Sequence, residues 1–90
     1  MAIIWESDRA EHLARHGVTI AQAAEAFYDD NAVVISPDYA SKSGNGVRTI
    51  GYSASSGELL TVLTVRHEGR VYGATAFPSD RRDRRYYEEA

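Results

Sequence analysis

Ninety residues, 43% of them apolar and only two of them proline, describe one small globular domain with a modest core and a formal net charge of −3. The absence of cysteine excludes disulfides, thiolate metal ligands and a cysteine nucleophile. No apolar run approaches membrane-spanning length and no basic start leads into an apolar signal segment. The expectation is a single cytoplasmic domain over residues 1–90, with no membrane contact, no linker and no internal repeat.

Ala2-Ile3-Ile4-Trp5 is a short apolar run that reads as an edge strand. Ser7 is a suitable N-cap for a helix over about residues 8–15, with Ala10, Leu13 and Ala14 as its apolar stripe. His16-Gly17 ends it, Gly17 suiting the left-handed position after a helix. Thr19-Ile20-Ala21-Gln22 has capping-box spacing and opens a second helix. There Ile20, Ala23, Ala24 and Phe27 recur at the i, i+3, i+4, i+7 interval of a core-facing stripe, until Asp29-Asp30-Asn31 breaks the pattern.

The period then changes to that of strands. Residues 32–36 are rich in β-branched side chains and stop at Pro37-Asp38; the polar Gly/Ser stretch 39–46 is a loop. Segments 47–54, 58–67 and 70–77 are strand-like, joined by Ser55-Ser56-Gly57 and Glu68-Gly69, both with hairpin chemistry. Pro78-Ser79-Asp80 precedes a last helix. The predicted class is α+β: two N-terminal helices packed on an antiparallel sheet of about four strands, with a short C-terminal helix.

The C-terminal helix concentrates the chemistry. Arg81, Arg82, Arg84 and Arg85 supply four of the ten basic residues within five positions, a candidate anion-binding cluster on an acidic chain. Arg81, Arg84, Arg85 and Glu88 fall at helical neighbour spacing, which equally allows a solvated face with an Arg84–Glu88 ion pair. Arg48 alternates with Ile50 and Tyr52 on one strand face and is either a rim residue or aimed into a cleft. His16 has the one side-chain type with an unperturbed pKa near neutrality, so it is either a proton-transfer group or a helix-capping ring.

His12 and His16 have the i, i+4 spacing of two zinc ligands, but no clear third ligand is assigned and no metal or other cofactor is expected. His67 belongs to a hairpin tip. Of Tyr86 and Tyr87, one should pack on the core while the other reaches a base, a phosphate or a partner. Ser43-Gly44-Asn45-Gly46 lacks the phosphate-loop pattern, and no serine has the context of a nucleophile.

Several short blocks, in this order, resemble the BrnT-type toxins of bacterial type II toxin–antitoxin pairs, small members of the RelE/ParE-like superfamily. They are Trp5-Glu6, Leu13-Ala14-Arg15-His16-Gly17-Val18, Phe27-Tyr28-Asp29-Asp30, Arg48-Thr49-Ile50-Gly51-Tyr52-Ser53, Leu59-Leu60-Thr61-Val62-Leu63 and Asp83-Arg84-Arg85-Tyr86-Tyr87-Glu88. The resemblance spans nearly the whole chain. It implies a metal-independent ribonuclease that cleaves mRNA and arrests growth, neutralised by an antitoxin that is encoded beside it and binds DNA.

On that resemblance His16, Arg48 and Arg84 are the catalytic candidates, and Arg81, Arg85 and Tyr87 the substrate-binding ones. Two features depart from the family. The last strand ends Ala74-Thr75-Ala76-Phe77-Pro78 where the family usually carries an alanine–arginine pair. The charge is −3, whereas nonspecific RNA affinity comes from lysine and arginine. A non-enzymatic toxin or interaction domain of the same fold is therefore the alternative.

Overall fold

Local rules set most of the elements in the computed structural model, which describes residues 2–90. In chain order these are β1 (Ile3–Ile4), α1 (Arg9–Ala14), α2 (Ile20–Phe27), β2 (Val33–Ile35), β3 (Gly46–Ser53), β4 (Glu58–His67), β5 (Arg70–Pro78) and α3 (Arg81–Glu88). Helix α2 starts where the capping box places it. The Thr19 hydroxyl accepts from the Gln22 amide, and the Gln22 side chain accepts from the Thr19 amide, each at 3.0 Å. Gly17 follows α1 at φ 73°, the left-handed conformation expected after a helix.

The N-cap of α1 differs from the expected one. Asp8 rather than Ser7 occupies that position, and its carboxylate pairs with Arg9 instead of capping a backbone amide. In the turn between β4 and β5, Glu68 and Gly69 both have positive φ, 51° and 75°. That backbone twist matches the flanking strands of a two-residue hairpin.

The five strands form one mixed sheet in the order β1-β5-β4-β3-β2. This corrects the antiparallel, roughly four-stranded expectation. The edge strand expected before the helices is present and becomes the fifth strand of this sheet, tied parallel to β5 through Ile3–Val71 and Ile4–Tyr72. The chain returns to this edge from the opposite end of the sequence, so no hairpin signal announces the pairing. The remaining pairs are antiparallel, with an irregularity at Leu63/Thr64 against β5.

Strand alternation sends side chains to two faces. On one face Leu60, Val62 and Ala76 join Leu13, Val18, Ala23 and Ala26 in the core, flanked by Ile3, Trp5, Ile20 and Phe27. Helix α2 lies so close to β3 that a Cβ on Gly51 would collide with the Ala26 carbonyl, which makes glycine a packing requirement there. On the other face, Arg48 and Thr61 point to α3. Among the described residues, no helix is long and apolar enough to cross a membrane.

Candidate functional site

Helix α3 is held by polar contacts. Its one buried residue is Asp83, fully excluded from solvent. The Asp80 side chain caps the helix by accepting from the Asp83 amide at 2.9 Å, which places Asp83 in the first turn with its carboxylate toward the sheet.

Three donors meet that carboxylate: the Arg48 guanidinium at 2.6 Å, the Thr61 hydroxyl at 2.7 Å and the Tyr39 hydroxyl at 2.6 Å. The Thr61 hydroxyl spends its single proton on Asp83, so it accepts from Ser79 at 2.8 Å. Arg48 uses Nε for Asp38 at 2.7 Å. Among the described residues no buried side-chain polar atom is left without a partner.

One guanidinium thus bridges two carboxylates in a site where Arg48 is 5% exposed, Asp38 8% and Asp83 0%. Burial pushes the Asp83 carboxyl up, but the hydrogen bonds from Tyr39, Thr61 and Arg48 outweigh it and hold the group below its ordinary value. Burial works against the Arg48 charge in the same way, and the bonds to Asp38 and Asp83 hold its pKa above the usual range. Tyr39 is pushed up to about 12 by burial and by its donation to Asp83.

Outside this cluster the helix presents cations and rings. Arg82 lies 3.8 Å from the centroid of Tyr39, and Arg48 lies 4.2 Å from the same ring on its buried side of the network. Tyr86 stacks near-parallel to Tyr39, with centroids 6.2 Å apart and planes at 25°. Arg81, Arg82, Arg85, Tyr86 and Glu89 line an open groove of about 430 Å³. Arg85 reaches Glu89 at 3.4 Å on a solvated face, an i, i+4 pair that contributes little to stability.

The catalytic candidates do not converge. Arg48 sits inside the buried cluster, with both ends of its guanidinium engaged by carboxylates. Arg84 is exposed on α3, and among the described residues its side chain makes no hydrogen bond or ion pair; the i, i+4 pair forms at Arg85–Glu89 instead. His16 is exposed at the end of α1. Its ring lies edge-on to His12 at 5.5 Å and to Phe77 at 6.1 Å, and none of its contacts reaches α3 among the described residues.

The substrate-binding candidates divide. Arg81 and Arg85 share the groove. Tyr87 instead donates to Asp29 at 2.7 Å, and the same carboxylate accepts from the Tyr52 amide at 2.8 Å, latching the end of α3 to the loop after α2. That bond lowers the Asp29 pKa and raises the Tyr87 pKa. His12 is taken up by Thr75 at 3.1 Å, and His67 is solvated beside Glu68.

Reading the sequence did not single out Tyr39, Asp38 or Asp83 for the site; it counted Arg82 in the arginine cluster without choosing it as a binding residue, and it chose Tyr87 over Tyr86. Tyr39 and Asp38 carry no local signal. Asp83 had one: it is the only acidic residue among four arginines and lies three residues after the capping Asp80. Comparison of the chain with protein-family models gives no match, and comparison with curated proteins gives none either.

Proposed function

We propose that this domain is the RelE/ParE-like toxin of a type II toxin–antitoxin pair, acting in the cytoplasm on RNA through the outer face of α3. The observation that carries the reading is the groove of Arg81, Arg82 and Arg85 beside Tyr86. Guanidiniums stay ionised and fork onto phosphate oxygens, and here they are solvent-facing on a rigid, capped helix. The same cationic face suits an acidic segment of an antitoxin, which would block RNA by occupying it.

Metal-independent cleavage needs a proton removed from the ribose 2′-hydroxyl, charge support for the phosphorane, and protonation of the leaving 5′-oxygen. In this proposal the exposed arginines of α3, Arg84 included, support the charge, and His16, set apart from them at the end of α1, is the group to be tested for proton transfer. Arg48 acts from behind, fixing α3 through Asp83. Cleavage would leave a 2′,3′-cyclic phosphate and a 5′-hydroxyl.

The test is expression of the chain with and without its genomic neighbour, followed by end-group analysis of RNA exposed to the purified protein, free and on ribosomes. Growth arrest relieved by the neighbour, with cyclic-phosphate ends, is the expected result. Intact RNA in both settings removes the enzyme. One observation favours the second reading, a non-enzymatic domain of the same fold: among the described residues the His16 ring packs on His12 and Phe77 and on no arginine of α3.

A further inference from the structure

Two of the chain's three histidines are brought into contact, and one of them, His12, has no part in the chemistry proposed above. His12 stands in α1 and His16 follows one turn later, in the turn that ends the helix. There the His16 amide donates to the Leu13 carbonyl at 2.9 Å and the Gly17 amide to that of Ala14 at 3.0 Å. The backbone that spaces the two rings is thus fixed by hydrogen bonds, and their centroids lie 5.5 Å apart with planes at 77°. His16 is exposed, while His12 is half-buried with its Nε2 3.1 Å from the Thr75 hydroxyl.

We propose that His12 and His16 together bind one divalent transition-metal ion of the zinc class. The spacing carries the proposal. With zinc–nitrogen bonds of about 2.0–2.1 Å and a tetrahedral angle, two ligating imidazoles place their ring centroids about 5.2 Å apart. The observed pair stands at nearly that separation, so an ion requires ring rotation and no movement of the backbone. Crossed ring planes are no obstacle, since a ligating ring turns about its metal–nitrogen bond. Imidazole selects zinc, copper and nickel over magnesium and calcium, which take oxygen ligands.

Metal-bound histidines are oriented by a hydrogen bond from the other ring nitrogen, and Thr75 offers one. When His12 Nε2–H donates to that hydroxyl, Nδ1 keeps its lone pair for the ion. Among the described residues no third histidine, aspartate or glutamate completes a metal-holding group, so water fills the remaining positions and the ion is exchangeable. A bound ion takes the lone pair that His16 would need for proton transfer. Zinc therefore inhibits the cleavage proposed above; this consequence, unlike the binding, rests on that reading.

The experiment uses the purified full chain, free of any histidine tag, titrated in a calorimeter with zinc chloride and separately with magnesium chloride. One zinc per chain and no magnesium are expected to bind. His16→Ala, at an exposed position, should remove measurable zinc binding, as should His12→Gln. Thr75→Val should weaken it roughly 10- to 100-fold, the cost of losing an orienting partner. His67→Ala, at a solvated hairpin, should leave it unchanged. In proton NMR spectra the imidazole signals of His12 and His16 should shift with zinc while those of His67 stay. Circular dichroism confirms that each variant is folded.

No zinc binding by the wild-type chain, equal affinity in His16→Ala, or equal affinity for magnesium would overturn the site. Its failure and that of the parent reading are separable. Cleavage without zinc binding refutes the site alone, and zinc binding without cleavage refutes the ribonuclease alone. Where both occur, saturating zinc should slow cleavage roughly 10²–10⁴-fold in the wild type, the share of a general acid or base, and leave the rate of His12→Gln unaltered. Equal inhibition of both would overturn the link between the ion and His16.

Discussion

Replacing Arg48 by alanine tests whether this residue holds the fold or touches a substrate. In the wild-type protein its guanidinium stands between two carboxylates at 2.7 and 2.6 Å, in a site where none of the three side chains is more than 7% exposed. Removing it leaves Asp38 and Asp83 facing the same emptied volume with no cation. Losing one partner of a buried ion pair typically costs about 3–5 kcal/mol, because the remaining charge is uncompensated. A domain of this size has a total stability on the order of 5–15 kcal/mol, so the loss is a large share of it.

With a urea m-value near 1 kcal/mol per molar, the unfolding midpoint should fall by about 3–5 M, which unfolds a domain at the low end of that stability range outright. Arg48→Lys should fall between the two, since an ammonium keeps the charge but cannot hold Asp38 through Nε and Asp83 through Nη at once. Urea titrations followed by circular dichroism at pH 7 give the numbers. A loss below about 1 kcal/mol, together with abolished RNA binding, would refute the structural assignment and return Arg48 to the site.

Acid should expose the same cluster. Asp83 titrates lower in the folded chain than its ordinary 3.8, so its contribution is complete above that value and disappears as pH falls through the lower folded one. Asp83→Asn should be less stable at pH 7 and show a shallower loss between pH 5 and 2, measured by urea midpoints across that range. Gly51→Ala is expected to lose at least about 1–3 kcal/mol, or to fail to fold, because the new methyl meets the backbone of α2 rather than a movable side chain. Thr19→Ala should cost about 1 kcal/mol by thermal melting, the worth of the lost cap. His16→Ala should slow RNA cleavage roughly 10²–10⁴-fold without a matching stability loss; a change of less than threefold would confine the ring to its contacts with His12 and Phe77.

The sequence by itself determined what depends on neighbours a few residues apart. The capping box at Thr19 and Gln22, the glycine after α1 and the two-residue turn at Glu68-Gly69 are all local devices. The alternation along β4 likewise placed Leu60 and Val62 on one face whatever lay opposite. The arginine cluster on α3 was legible for the same reason, since helical spacing alone puts Arg81 and Arg85 side by side.

Only the tertiary structure decided what depends on distant segments. The parallel pairing of β1 with β5 joins residues nearly seventy positions apart and leaves no periodic trace. Arg48 looked the same in sequence whether it lined a cleft or a core. Its role follows from Asp38, ten residues away, and Asp83, thirty-five away, which meet it where water is excluded and a lone charge could not remain. Tyr39 lay in a loop with no pattern, yet it anchors on Asp83 and faces Tyr86. Which α3 side chains face solvent was settled in the same way: burial of Asp83 against the sheet turns Arg81, Arg82 and Arg85 outward, because a short helix with one face fixed by buried hydrogen bonds has no rotational freedom left.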